Sequence, residues 1–209
     1  MRREQYILKN SFRAPIGIIP TARGAGGNRI SLEERRWIDE NGEPQSNCLV
    51  NIFKEEHVSA LLIHYPLLKE STAGKHENDF LYLVQEFEQL VVRALQKEYP
   101  QYLDLVRMKW DNRQNIEIQE VLMKKHGVYH TVEYLSCLWR TKIPKIIAQQ
   151  AKEDYLVWHY TNVAPEEAVW KKCSKCGQEK VAHSYFFSKN NSSKSGFYSI
   201  CKKCRNNKK

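Results

Sequence analysis

Hydrophobic positions recur at intervals of three and four residues through the middle of the chain, which predicts a run of amphipathic helices. The pattern is clearest over 80–95, and Pro100 marks a break after it. Apolar positions over 50–68 predict an earlier helix that ends near Pro66. We therefore expect a mainly α protein, and we assign these apolar stripes to its core.

A closer succession of helices is predicted over 101–160. Asn115 is placed to cap one of them, since its side chain can accept a hydrogen bond from the first turn. Gly127 then makes a turn, because glycine accepts the left-handed conformation without strain. His130-Thr131 caps a third helix, which should end at Ile143-Pro144, where the proline opens the next helix.

A helix, a glycine turn and a capped helix form the arrangement of a helix-turn-helix. The stretch from Ile116 to Leu122, then Gly127-Val128 and Thr131 to Trp139, resembles the DNA-binding helix pair of transcription regulators and of sigma-factor region four. The resemblance implies that the helix starting near Thr131 enters the major groove. The residues that would contact DNA there are His130, Thr131, Glu133, Tyr134, Cys137, Arg140, Lys142 and Lys145. A three-helix bundle without DNA contact stays an alternative, because phosphates would repel Glu133.

Charge is distributed unevenly along the 209 residues. Residues 171–209 hold eleven lysines and arginines against one acid, a net +10, which leaves −1 for the rest of a chain whose total is +9. A basic block of this kind is typical of a protein that binds a polyanion, usually nucleic acid. A solubilising tail is the alternative interpretation.

The same block contains two Cys-x-x-Cys pairs, Cys173/Cys176 and Cys201/Cys204, separated by 24 residues. This spacing is typical of a tetrahedral zinc site, and four thiolates leave no coordination position for an activated water. The block has few apolar residues, so one structural zinc would have to supply much of its stability. Tyr198 and Ile200 are among those few, and His183 is expected at the surface rather than as a ligand.

The sequence around these cysteines also carries a recognisable motif. Cys-x-x-Cys-Gly-x-x-Lys from Cys173, an aromatic at Phe186, Gly196-Phe197 and Cys201-Lys-x-Cys204 resemble the treble-clef-like zinc finger of phage and HNH-associated proteins. An HNH nuclease would need a metal-binding His and Asn pattern downstream, and the sequence stops at Lys209. We therefore expect a non-enzymatic module. The cations placed to contact phosphates are Lys171, Lys172, Lys175, Lys202, Lys203 and Arg205.

The first 47 residues are rich in glycine, proline and arginine, which disfavours regular structure. Ser31 and Glu34 form a capping box that predicts a short helix through Trp37, and Asn41-Gly42 is a turn signal. The arm could follow a minor groove or pack on a partner subunit, and both interpretations stay open. No apolar run is long enough for a bilayer span or a secretory signal, so we expect a cytoplasmic protein without a membrane partner.

Four regions follow from these patterns: an extended arm over 1–47, a helical domain over 48–160 with its helix-turn-helix at about 101–160, a linker over 161–170, and a basic four-cysteine zinc finger over 171–209. Recognisable catalytic motifs are absent from the sequence. We expect a sequence-specific protein that binds double-stranded DNA, a phage or mobile-element transcription regulator. RNA polymerase or a second copy of the chain would then be a further partner. A non-catalytic component of a nuclease or recombination complex, or a virion or assembly protein, stays an alternative.

Overall fold

The computed structural model describes residues 36–46, 50–72 and 79–206, so most of the predicted N-terminal arm lies outside the described residues. Within these ranges the chain is mainly α, with small strand hairpins, as the sequence predicted. The helices are α1 (Glu55–Thr72), α2 (Asp79–Leu95), α3 (Pro100–Trp110), α4 (Asn115–His126), α5 (Val132–Cys137), α6 (Ile143–Asn162) and α7 (Lys202–Asn206). A π-helical turn covers Leu138–Lys142, and a 3-10 turn covers Pro165–Glu167.

The six strands form three two-stranded sheets. They are β1 (Arg36–Ile38), β2 (Pro44–Ser46), β3 (Trp170–Lys172), β4 (Glu179–Val181), β5 (Phe187–Lys189) and β6 (Phe197–Cys201). β1 pairs with β2, β3 with β4, and β5 with β6. No larger sheet forms among the described residues.

The described residues group into two compact units. The helical unit contains Gln45–Lys152 with the preceding residues 36–37, and the four-cysteine unit contains Ile38–Pro44 together with 153–206. The chain passes from the first unit to the second within α6. The domain boundaries expected from the sequence stay a prediction.

The helical unit is built around apolar side chains that the helical periodicity points inward. α2 carries the stripe predicted over 80–95, and its Phe87 and Leu90 are almost completely buried. Leu62, Leu105 and Leu122 join this core from three other helices. Each side chain of this size contributes about 1.5–3 kcal/mol when it leaves water, so burial of these stripes stabilises the unit.

Helix α1 does not end near Pro66, as expected, but continues to Thr72 with the proline inside it. Proline has no N–H, so the carbonyl of Leu62, four residues earlier, loses its helical donor. The indole Nε1 of Trp110 donates to that carbonyl at 3.1 Å, and the Trp110 ring stacks on Tyr65 at 3.8 Å. A tertiary contact therefore replaces the missing hydrogen bond and allows the helix to continue.

The predicted turn between α4 and α5 is confirmed. Gly127 adopts the left-handed conformation with φ 65°, and the Thr131 hydroxyl accepts from the Tyr134 N–H at 3.2 Å. The cap of α4 lies one residue before the predicted one, at Gln114, because Gln114 forms a reciprocal capping box with Glu117. Asn115 instead connects two helices, since its Nδ2 donates to the Ser136 hydroxyl at 2.9 Å.

The third helix of the predicted series does not end at Ile143-Pro144. Cys137, Leu138 and Ile143 all keep right-handed helical backbone angles, and the Ile143 N–H donates to the Leu138 carbonyl, five residues back. A π-type turn of this kind inserts an extra residue into the helix. It lets the backbone pass through Pro144 without a complete break. The predicted start of the next helix at Ile143-Pro144 is confirmed, since α6 begins at Ile143, but the break expected before it is replaced by the π-helical turn.

Arg36–Ile38 is a strand, so the short helix expected through Trp37 is wrong at its end, and Ser31 to Glu34 lie outside the described residues. The turn predicted at Asn41-Gly42 is confirmed. Gly42 has φ 77°, and its N–H donates to the Asp39 carbonyl at 2.9 Å. This turn lets Arg36–Ile38 pair with β2, and the strand hydrogen bonds outweigh the local helical signal.

Among the described helices, none combines the length and the apolar character that a membrane crossing would require.

Candidate metal centre and basic surface

The first cysteine pair lies in the tight connection between β3 and β4. Cys173 directly follows β3, and its carbonyl accepts the N–H of Gly177 at 2.9 Å. Gly177 is left-handed with φ 69°, a conformation that favours glycine. The turn therefore brings Cys173 and Cys176 to the same side of the hairpin end.

The second pair lies where β6 gives way to α7. Cys201 is the last residue of β6, and Cys204 lies inside the short helix that follows. The N–H of Lys202 donates to the Phe186 carbonyl at 2.8 Å, which holds this junction against the start of β5. A strand end and a helix start thus present the second pair toward the first.

The four cysteines form a cluster that could hold one metal ion. Their Sγ atoms all lie within 4.8 Å of one another. Four sulfurs placed tetrahedrally about 2.3 Å from a zinc ion would be about 3.8 Å apart. The cluster thus has the donor number, donor type and approximate size that one ion of this kind needs.

The electrostatics of the cluster favour a cation at its centre. Burial alone would raise the pKa of the Cys173 thiol, but backbone N–H donors, first that of Cys201 at 3.3 Å, lower it to about 6. Burial raises the pKa of Cys201 above its ordinary value. Without a cation, four thiolates so close together would repel one another. The positive charge of a divalent ion would offset that repulsion and hold the coordinated thiols in their deprotonated form.

The cysteines also form part of a small core. Cys173 and Cys201 are buried together with Leu156, Phe186 and Phe187. Val181 completes this buried group, and Ile38, Trp170 and Phe197 pack against it. Two of its six buried members are thiols, so the core and the candidate metal site are one structure.

Polar contacts attach other segments to this core. The Lys203 ammonium pairs with the buried carboxylate of Glu153 at 3.2 Å, which links α7 to α6. The Tyr185 hydroxyl donates to the Glu43 carboxylate, 142 residues away in sequence. A Cβ on Gly42 would lie 2.7 Å from His183 Nε2, so glycine is required there by a close approach as well as by its positive φ.

His183 is therefore not the surface residue expected from the sequence. It is half-buried under the turn at Gly42, and burial lowers its pKa below the ordinary value. It does not belong to the cysteine cluster. Within the part of the chain that the structure describes, the four thiols are the candidate ligands, as the spacing predicted.

The predicted phosphate-contacting cations of this unit fall into two groups. Lys172, Lys202 and Arg205 are exposed. Lys171 and Lys203 are half-buried, because Lys171 Nζ donates to the Phe197 carbonyl at 3.1 Å and Lys203 pairs with Glu153. Lys175 is exposed, and its Nζ donates to the Cys204 carbonyl at 3.2 Å. Their role in binding stays a prediction.

Two apolar residues of this unit lie outside its core. The side chains of Tyr198 and Ile200 are 42% and 37% exposed. Regular strand alternation could not have shown this, because the register of β6 is irregular opposite Phe187–Lys189 and residues 198–200 are all exposed. Arg205 lies beside this strand, with its guanidinium carbon 4.7 Å from the centroid of the Tyr198 ring.

The predicted DNA-contacting residues of the helical unit share one stretch around α5. Most of them are exposed: Thr131, Glu133, Tyr134, Cys137, Arg140, Lys142 and Lys145. His130 is half-buried with its ring 4.8 Å from that of Tyr134, and Lys142 Nζ donates to the Tyr102 hydroxyl at 2.9 Å. The inward residues Leu135 and Leu138 are buried as expected. Contact of the exposed set with DNA stays a prediction.

A charged cluster of the helical unit is invisible in the linear sequence. The Asp104 carboxylate receives Lys125 Nζ at 2.8 Å and His126 Nε2 at 2.6 Å. His126 therefore links α4 to α3. Lys125, one of the cations near the turn, has this carboxylate as its partner.

No known protein family, no curated protein and no solved structure matches this chain. The candidate functions therefore depend on the residues and their geometry.

Proposed function

We propose that this chain is a zinc-containing protein that binds double-stranded DNA. The single observation that carries the proposal is the four-cysteine cluster, set in a unit whose sequence from 171 to 209 has a net charge of +10. Four thiolates and one divalent ion contribute −2, so the segment would stay at about +8 with the metal bound. A segment with that net positive charge attracts phosphates over distances up to about one Debye length.

The proposed metal is zinc, and its role is structural. Four thiolates are the donor set of structural zinc sites, and they leave no open position for water or substrate. The order of the elements supports the resemblance to a treble-clef-like finger: a hairpin whose end holds Cys173 and Cys176, a second hairpin, and a helix that begins after Cys201. Bound zinc would join the hairpin end to this helix start.

The helical unit would supply sequence recognition. Three exposed residues lie along the stretch around α5: Thr131 at the cap of α5, Tyr134 in α5 and Arg140 in the π-helical turn after it. Their side chains can contact base edges or phosphates. Gly127 and the Thr131 cap give this stretch the turn and the helix start of a helix-turn-helix. Regulation of transcription, in a phage or mobile element, is the task that we infer for such a helix pair.

The proposal is tested by titrating the zinc-loaded full chain against labelled duplex DNA at several salt concentrations. If about five phosphates are neutralised, the logarithm of the binding constant should fall with the logarithm of salt with a slope of about −4 to −5. Exposed cations of the four-cysteine unit should matter most, so the variant Lys172→Ala/Lys202→Ala should lose about two from that slope. An unlabelled duplex of unrelated sequence measures the sequence preference by competition.

The matched control is Lys54→Ala/Lys97→Ala, which removes two exposed lysines of the helical unit. It should leave the slope close to that of the parent. Failure of the parent to bind duplex DNA in dilute buffer would overturn the proposal. If both double variants reduced the salt slope equally, the assignment of phosphate binding to the four-cysteine unit would be contradicted.

A further inference from the structure

The exposed face of β6 has a composition that suits a nucleic acid base. Tyr198 is 42% exposed, although an aromatic ring of its size gains much from burial. Ile200, two residues further along the same strand, is 37% exposed. The strand therefore leaves an aromatic and an aliphatic side chain exposed within three residues.

The second feature of this face is a planar cation. The guanidinium of Arg205 lies over the Tyr198 ring, with 4.7 Å between its central carbon and the ring centroid. Arginine stacked on an aromatic ring restricts the orientation of that ring. Because Tyr198 as a whole residue stays 42% exposed with Arg205 in place, we expect its ring to retain surface for a second flat group.

The charge around the face distinguishes between classes of partner. Segment 198–205 contains the exposed cations Lys202 and Arg205 and no acid, while Lys203 is paired with Glu153. The whole region from 171 has one acid, Glu179. An apolar protein partner would have to desolvate these cations, whereas a nucleic acid brings a phosphate within reach of each base. Aromatic platforms flanked by cations are the general means by which proteins hold unpaired bases.

We propose that Tyr198 is a stacking platform for an unpaired base of single-stranded DNA, with Ile200 against the edge of the base and Arg205 and Lys202 toward its phosphates. The choice of DNA rests on the proposed function. The platform itself is independent of recognition of duplex DNA by the helical unit. Its consequence is that the four-cysteine unit binds single strands, or duplexes with an unpaired end, more tightly than it binds closed duplexes.

The experiment uses the zinc-loaded full chain and a short thymidine oligonucleotide that carries one central 2-aminopurine. Stacking on an aromatic ring quenches the emission of this base, so saturation with the parent protein should lower the emission. Tyr198→Ala should abolish the quenching and weaken single-strand binding by about 5- to 150-fold, the range found when one base–aromatic stack is removed. Tyr198→Phe keeps the aromatic ring and should retain both the quenching and the single-strand affinity of the parent.

The matched control is Tyr129→Ala, which removes an exposed tyrosine of the helical unit. Its quenching should equal that of the parent. Zinc content and circular dichroism are measured for each variant, and Arg205→Ala gives a second variant that leaves the strand sequence intact. Arg205→Ala should weaken single-strand binding, with less effect on a blunt duplex.

The outcomes separate this proposal from the proposed function. Unchanged emission on saturation by the parent, or equal quenching by Tyr198→Ala, would overturn the platform while duplex binding could persist. Quenching that depends on Tyr198 without any duplex binding would support the platform and overturn the duplex assignment. Tighter binding of the corresponding RNA than of the DNA would overturn the choice of DNA.

Discussion

The helical unit and the four-cysteine unit are stabilised in different ways. In the helical unit, fully buried leucines and Phe87 from several helices form an extended apolar core. In the four-cysteine unit, the buried cluster has six members, of which Cys173 and Cys201 are thiols. The first unit can fold by hydrophobic burial, whereas the core of the second includes the proposed metal ligands, so we expect its folding to depend on the ion.

The charge of the chain changes at residue 171. The chain up to residue 170 sums to −1, and the region from 171 onward sums to +10. The parts of the four-cysteine unit that precede residue 171, 38–44 and 153–170, hold seven acids and no lysine or arginine, so they offset most of this charge within the unit. The proposed metal site, and not a surplus of one charge, therefore distinguishes the stability of this unit from that of the helical unit. The following predictions test this difference.

The largest effect is expected from Cys173→Ser, which removes a buried member of the cluster. Structural zinc contributes about 10–16 kcal/mol of apparent binding free energy, so loss of one thiolate should unfold the four-cysteine unit and leave the helical unit folded. Metal analysis after purification without chelator should return about one zinc per chain for the parent and far less for the variant.

The control for that change is Cys137→Ser, which alters an exposed thiol outside the cluster. It should retain the zinc content of the parent. A folded Cys173→Ser protein that still holds one zinc would show that the cluster is not the metal site and would remove the difference between the units.

An intermediate effect is expected from Phe87→Ala in the helical unit. Phe87 is 1% exposed, and truncation of a buried phenylalanine costs about 3–5 kcal/mol through lost burial and the cavity left behind. Urea denaturation followed by circular dichroism measures the loss, and the zinc content should not change. Leu67→Ala, at a position that is 65% exposed, should stay within about 0.5 kcal/mol of the parent.

If Phe87→Ala lowered the zinc content as strongly as Cys173→Ser, the two units would not be independent in stability. If Phe87→Ala lowered the free energy of unfolding by less than Leu67→Ala does, the assignment of Phe87 to the core would be contradicted.

The smallest effect is expected from Asp104→Asn, and it should depend on pH. Burial alone would raise the pKa of Asp104, but hydrogen bonds from Lys125 and His126 lower it below 3.8. A carboxylate whose pKa is lower in the folded state than in the unfolded state stabilises the fold fully at pH values above the unfolded-state pKa. This contribution is lost as the pH falls through the folded-state pKa. The variant should therefore lose about 1.5–3 kcal/mol at neutral pH, the value of charge-assisted hydrogen bonds.

Denaturation from neutral to strongly acidic pH tests the sign. The difference between the parent and Asp104→Asn should shrink as the pH falls below 3.8. Glu120→Gln makes the same chemical change at an exposed position and should show little difference at any pH. A difference for Asp104→Asn that grew toward acid would contradict the ion-pair explanation.

Local signals predicted much of the fold. The stripe over 80–95, the turn at Gly127 and the cap at Thr131 depend on residues within a few positions of one another, so periodicity and capping rules identify them. The Cys-x-x-Cys spacing likewise predicted the cluster, because each pair bends locally and only the meeting of the pairs is long-range.

Predictions failed where a distant residue changed the local outcome. Pro66 was expected to end α1, but Trp110 supplies the donor that the helix lacks, 48 residues away in sequence. Trp37 was expected in a helix, but pairing with β2 makes Arg36–Ile38 a strand. Tyr198 was counted only among the few apolar residues of its block, and its exposure of 42% could not be read from that count.

The sequence by itself determined the helical class, the excess of positive charge after residue 170 and the four-sulfur donor set, because composition, period and short-range spacing do not depend on the fold. Only the tertiary structure decided that Asp104 receives Lys125 and His126, and that Lys171 and Lys203 have partners within their own unit. The same holds for Gly42, which lies against His183. These contacts join residues far apart in the chain, and packing of whole elements sets their distances.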